Sequence, residues 1–228
     1  MEKNNTQWTL NDFIHFLLMT LLSGGMIAIC ATSSLLANSV MDDMGKFVGA
    51  ILFSLGIFVI LAFEMKLFTG LVSGIPTMGK KSLWKLPVCF IGNAIGVAIV
   101  FFLVSFSPIS DVVVSAGKYL IYSKITNESW AISSVCSGVL CGILITLSVL
   151  SVNHSHKKGL SANVGVIFPI IVFAFCGFDH SVANMFYFYC LGEMSWRVVG
   201  YILLTIVGNV IGGVILPLVL KLRDEDQL

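Results

Sequence analysis

Six long apolar runs constrain this chain more than any other feature: roughly Phe13 to Ala37, Phe47 to Phe63, Leu83 to Phe106, Trp130 to Val152, Val164 to Leu191 and Trp196 to Leu220. Each is near or above the ~20 residues a helix needs to cross a bilayer's hydrocarbon core. A transmembrane barrel needs segments about half as long with alternating polarity, and these runs do not alternate. The expectation is an all-α integral membrane protein with six transmembrane helices, forming a single domain over residues 1–228. The overall balance agrees, with 57% hydrophobic and 11% charged residues. That balance lies far outside a soluble domain's.

The polar opening Met1 to Asp12 lacks a basic stretch followed by a cleavage site, so no removable signal peptide is expected and the first helix serves as its own insertion signal. With the N-terminus in the cytoplasm, Lys3, Lys80, Lys81, Lys85, Lys157, Lys158, Lys221 and Arg223 fall inside, against Lys46, Lys118, Lys124 and Arg197 outside. That excess follows the positive-inside rule and places both termini in the cytoplasm of a cell inner (plasma) membrane protein. The six cysteines lie in apolar runs without a CxxC pair and read as small packing residues. No P-loop, GxSxG or paired metal-ligand motif is present. No cofactor, metal or nucleic-acid partner is therefore expected, and ATP-driven transport is disfavoured.

The third run contains "GNAIG" (Gly92 to Gly96) and the sixth "GNVIG" (Gly208 to Gly212). The same pattern three helices apart predicts two three-helix repeats, about 13–106 and 130–220, of opposite topology because three is odd. The second helix of each half is interrupted, by "FEMKLFTG" in one and "FCGFDHSVAN" in the other. Broken helices at matching positions point to a site near the bilayer midplane. Small residues four apart at Gly45/Gly49, Gly70/Gly74 and Gly138/Gly142, as in the two GN segments, predict close helix packing. Ser107 to Ser129 is the longest polar connection.

His180 lies in the second interruption beside Asp179, and helical spacing puts it on one face with Asn184. An ionisable group at that depth is expensive, which makes it a functional candidate, with a histidine satisfied by helix-to-helix hydrogen bonds as the structural alternative. Lys66 poses the same choice, since an ammonium at a helix centre costs ~3 kcal/mol. Its structural alternative is an ion pair with Glu64 or snorkelling to an interface. Thr69 reads as a helix N-cap after the break. Positive charge together with half-helix ends suits a small anion. "HSHKK" (His154 to Lys158) lacks a third metal ligand and reads as a basic loop, and "NES" (Asn127 to Ser129) fits a glycosylation sequon by chance as easily as by purpose.

"LFTG" at Leu67 to Gly70, "FPIIVFAFCGFDHSVANMFYF" at Phe168 to Phe188 and the two GN helices together resemble the formate/nitrite transporter family, over essentially the whole chain. The resemblance implies an aquaporin-like protomer with broken second and fifth helices, five of which assemble as a homopentamer with a pore in each. It implies His180 as the central pore histidine with Thr69 facing it, and Asp179, Gly177 and Asn184 supporting the fifth-helix break. The family's constrictions map onto Leu67, Phe173, Phe53, Ile57 and Val149, and a pocket asparagine of the fourth helix is Thr146 here.

Two departures stand out. Lys66 replaces a glutamate that commonly precedes "LFTG", and Trp130 occupies the place of a lysine near the start of the fourth helix, with Lys124 the nearest lysine. Lys66 is therefore expected to supply the missing positive field beside His180, which would favour the neutral imidazole. The implied function is a proton-linked channel for formate or nitrite, with hydrosulfide the alternative in the same family. An ammonium channel is disfavoured by Lys66. An intramembrane enzyme is disfavoured because adjacent helical residues point about 100° apart, so Asp179 and His180 would not face one substrate.

Overall fold

The computed structural model describes residues 8–153 and 160–225. The helices are α1 (Leu10–Val40), α2 (Gly45–Ala62), α3 (Phe68–Val72), α4 (Lys85–Ser105), α5 (Ser110–Thr126), α6 (Trp130–Asn153), α7 (Leu160–Cys176), α8 (Ser181–Leu191) and α9 (Trp196–Glu225). Among the described residues there is no strand, and six segments are long and apolar enough to cross a membrane. The "HSHKK" motif lies outside the described residues.

Helix starts follow local chemistry. Thr9 and Asp12 close a capping box ahead of α1: the Thr9 hydroxyl accepts from the Asp12 N–H at 3.2 Å and the Asp12 carboxylate accepts from the Thr9 N–H at 2.9 Å. This satisfies two N–H groups that would otherwise lack partners. The helix consequently begins three residues before the apolar run.

α4 lies against α1, and α9 against α6, through the two GN segments. A Cβ on Gly96 would overlap the Leu21 carbonyl oxygen, and one on Gly212 would overlap the Val139 carbonyl oxygen. Only glycine permits that approach, and with little hydrophobic drive between helices in lipid, such backbone proximity is a main source of packing energy.

α2 and α7 end in the same way. The Gly177 N–H bonds the Ala174 carbonyl at 3.2 Å and the Phe178 N–H bonds that of Phe173 at 3.0 Å; the Glu64 N–H bonds Leu61 at 3.2 Å and the Met65 N–H bonds Ile60 at 2.9 Å. These are paired Schellman caps, whose turn residue adopts positive φ. Gly177 has φ +75°, which glycine tolerates, whereas Glu64 has φ +52° and carries a Cβ. Glu64→Gly is therefore expected to stabilise the protein by about 1 kcal/mol, raising Tm by about 3 °C. Thermal unfolding in detergent measures this, and an unchanged or lower Tm would mean that the Glu64 side chain makes an offsetting interaction.

The polar connection expected at Ser107 to Ser129 is instead largely helical. Val113, Gly117, Ile121 and Ile125 of α5 are buried at four-residue intervals against the rest of the bundle, with Gly117 facing Cys190 and Leu35. This stripe is narrow enough that the segment's average polarity conceals it.

Candidate functional site

The two interruptions are held by a matched pair of asparagines. Asn93 of α4 accepts the Phe68 N–H at 2.8 Å and donates to the carbonyls of Thr20 at 2.8 Å and Lys66 at 3.0 Å. Asn209 of α9 accepts the Ser181 N–H at 2.9 Å and donates to the carbonyls of Asp179 at 2.8 Å and Gly138 at 2.9 Å. Each side chain thus caps the helix after a break, holds the non-helical backbone before it, and ties both to a neighbouring span. Backbone groups that have left a helix within a bundle need such partners. In this correspondence Lys66 stands opposite Asp179, and Leu67 opposite His180.

His180 is the N-cap residue of α8, and its Nδ1 accepts the Ala183 N–H at 3.1 Å. The neutral ring therefore carries its hydrogen on Nε2. Nε2 lies 2.9 Å from the Thr69 hydroxyl, joining the two interrupted segments through buried side chains.

Asp179, 2% exposed, gathers three donors. Its Oδ1 accepts from Lys124 at 2.7 Å and Asn184 at 3.0 Å, and its Oδ2 from the Tyr201 hydroxyl at 2.8 Å. Lys124 also donates to the Gly177 carbonyl at 3.1 Å. Three helices, α5, α8 and α9, thus converge on one carboxylate beside the break.

His180 borders a cavity of about 450 Å³ that opens beside the α1–α2 turn. Phe53 and Phe173 also line it, edge to face with ring centroids 5.5 Å apart, and the Phe173 ring stacks with that of His180 at 6.0 Å. Asn184, Lys46 and Lys124 are also among its lining residues. Leu67 and Val149 face Gly70 away from this cavity: a Cβ there would lie 3.9 Å from Leu67 Cβ and 3.7 Å from Val149 Cγ2. Ile57 is buried in the core. Thr146 donates to the Gly213 carbonyl at 3.0 Å and does not line the cavity, so its observed contact staples α6 to α9.

Lys66, three residues before the Thr69 that meets His180, does not line the cavity either. Its N–H bonds the Met19 carbonyl at 3.3 Å, whereas the cavity wall takes Ser34 to Ser39 of the same helix. Fifteen residues of α1 separate Met19 from Ser34, about 22 Å at helical rise. Among the described residues Lys66 makes no ion pair with Glu64. The lysine that meets Asp179 is Lys124, from α5, while Trp130 packs edge to face on Trp196 at 5.6 Å. From the sequence Lys124 is named only as an outside charge and as the lysine nearest Trp130, and Tyr201 and the asparagine caps are not singled out. The four-residue stripe of α5 was the available signal for the first, and the repeated Gly-Asn pair for the caps.

The family model described as formate/nitrite transporter matches residues 1–222. A formate channel named FocA from Escherichia coli (strain K12) is 30% identical over 154 residues, covering 63% of this chain and 53% of that protein. The match thus spans about half the length of that relative. A formate-nitrite transporter from Plasmodium knowlesi (strain H) is 25% identical over 230 residues, covering 88% and 73%. Among solved structures, an FNT family ion channel superposes with TM-score 0.76 at 20% identity, covering 90% of this chain and 88% of that one. A pentameric formate channel with formate bound gives 0.75 at 19% identity, covering 90% and 94%. At these identities the structural likeness carries the fold.

Proposed function

The chain belongs to the formate/nitrite transporter family, and from that membership we propose that it is a membrane channel for small monovalent anions of weak acids. Formate or nitrite is the foremost substrate in this reading, with hydrosulfide the alternative. The chain is read as two inverted repeats, assembled as a homopentamer with one pore per protomer. The pentameric formate channel among its structural relatives supports that assembly. Both termini lie in the cytoplasm of the cell membrane, so the cavity opens outward.

The observation that carries the proposal is the Thr69–His180 contact behind the Phe53–Phe173 pair. A bare anion crossing an apolar constriction loses its hydration at great cost, whereas the neutral acid crosses cheaply. The anion is drawn into the mouth, takes a proton from hydronium there and leaves water behind, and passes between the aromatic rings as the acid. His180 donates from Nε2 to Thr69, which leaves the threonine hydroxyl hydrogen free for an oxygen of the passing molecule. Leu67 and Val149 form the second constriction, and Asp179 and Asn184 keep the fifth-helix break in shape. Lys66, set apart from the cavity, serves the other mouth.

The test is a proteoliposome flux panel of formate, nitrite, hydrosulfide, acetate and lactate at two pH values. Uptake of the preferred anion is expected to rise several-fold as external pH falls from about 8 to 5. Flux indifferent to pH across that range, where histidine ordinarily titrates, would refute proton linkage. No flux of any of the five would refute the channel itself. His180→Asn is expected to alter selectivity or the pH response while the oligomer persists; loss of the folded oligomer would make the histidine structural.

A further inference from the structure

We propose that Lys46, rather than Lys124, supplies the positive potential that gathers anions at the cavity mouth. This rests on the channel reading above and adds a residue to it.

Two ammonium groups border the cavity, and their surroundings differ. Lys124 is 2.7 Å from the Asp179 carboxylate and 3.1 Å from the Gly177 carbonyl, with 19% of its side chain exposed. Seen from the mouth, a cation and an anion so close form a dipole whose field falls off much faster than that of a single charge. Lys124 is thereby committed to holding the break.

Lys46 stands on the first turn of α2 at the exposed rim, with its Nζ 5.2 Å from the centre of the Phe175 ring. An aromatic face attracts an ammonium through its quadrupole and carries no net charge. Phe175 therefore positions this cation without cancelling it, which a carboxylate would do. Asp42 and Asp43, in the turn before α2, are exposed, do not border the cavity and make no ion pair with Lys46. With Lys124 and Asp179 counted together, Lys46 is the remaining formal charge among the residues that line the cavity, with Asp42 and Asp43 on the turn outside it.

The rest of the rim suits a hydrated anion. Ser34, Asn38, Ser39 and Tyr119 border the opening, and the Phe53–Phe173 pair lies deeper. A single positive charge beside a cleft with low-dielectric walls raises the local concentration of counter-ions. Salt screens that effect over ~8 Å at physiological ionic strength. The ligand class is a small monovalent anion, held by charge and hydration without direct chelation.

Two measurements test this. In right-side-out membrane vesicles, Lys46→Met is expected to raise the half-saturating formate concentration for uptake about three- to fivefold and flatten its dependence on ionic strength. The maximal rate should stay within about twofold, and Lys46→Arg should restore affinity and salt dependence together. The second readout needs no transport: a cysteine at Ser39 is labelled with anionic and cationic reagents bearing one thiol-reactive group, with the parent protein as control. Lys46→Met should lower the anionic-to-cationic rate ratio several-fold. An unchanged ratio overturns the proposal whether or not the protein conducts formate. An unchanged half-saturation and salt dependence in a conducting protein overturns it too, as does a larger change in both from a folded Lys124→Met variant.

Discussion

Asp179→Leu is expected to cost about 3–5 kcal/mol, enough to remove most of the folded protein from a detergent extract. The carboxylate is the common acceptor of Lys124, Asn184 and the Tyr201 hydroxyl. Leucine keeps the branched shape with two bulkier methyl groups, so none of the loss comes from a cavity. The loss comes from three polar groups deprived of their acceptor, one of them an ammonium only 19% exposed. Breaking a buried pair from one side costs much more than replacing both members by apolar groups, because the second route leaves no uncompensated charge. Asp179→Leu with Lys124→Met should therefore recover more than half of the lost stability, and Lys124→Met alone should be destabilising. Thermal unfolding of the four proteins in the cycle gives the coupling energy. If the double variant is no more stable than Asp179→Leu, the ion pair is incidental and the carboxylate acts through Tyr201 and Asn184 alone.

This cluster shows how far the sequence could be read. The spans were legible because crossing hydrocarbon demands about twenty apolar residues, a signal that no local contact can hide. The second break was legible for a similar reason, since glycine, aspartate and histidine together in mid-span are costly to hold in an unbroken apolar helix. Lys66 was visible as a charge, but its depth was not. That depth depends on the Met19 carbonyl to which its N–H is bonded, on a helix distant in sequence. The role of Lys124 was hidden by averaging, because α5 carries its buried stripe within a polar segment. Lys46 was counted only as a loop charge, and nothing local to it announces Phe175, a residue of α7, beneath its ammonium. The repeated Gly-Asn pair was noticed for its glycines. Its asparagines carry as much of the structure, through bonds to residues 25 and 28 positions away.

Those asparagines carry the second large prediction. Asn93→Leu and Asn209→Leu are each expected to destabilise the protein by about 3 kcal/mol, lowering Tm by about 6–10 °C. Each change leaves one buried helix-start N–H without an acceptor, which costs about 1–3 kcal/mol, and deprives two carbonyls of a donor. Interhelical hydrogen bonds in membranes average only about 0.6 kcal/mol, so the orphaned N–H dominates the sum. Similar losses at the two sites are expected because the bonds correspond one for one. Their effects on flux should differ. Asn209 holds the carbonyl of Asp179 and the N–H of Ser181, on either side of His180. Its loss frees the ring that meets Thr69, and selectivity should relax in whatever protein remains folded. Asn93 holds Lys66 and Phe68 on either side of Leu67, so its loss should act on the constriction proposed at Leu67. Asn209→Asp separates the two contributions. It keeps an acceptor for Ser181 and loses the donor to Asp179 and Gly138, and should retain more stability than leucine if the orphaned N–H accounts for most of the loss. Equal loss from aspartate and leucine would move that weight onto the carbonyls.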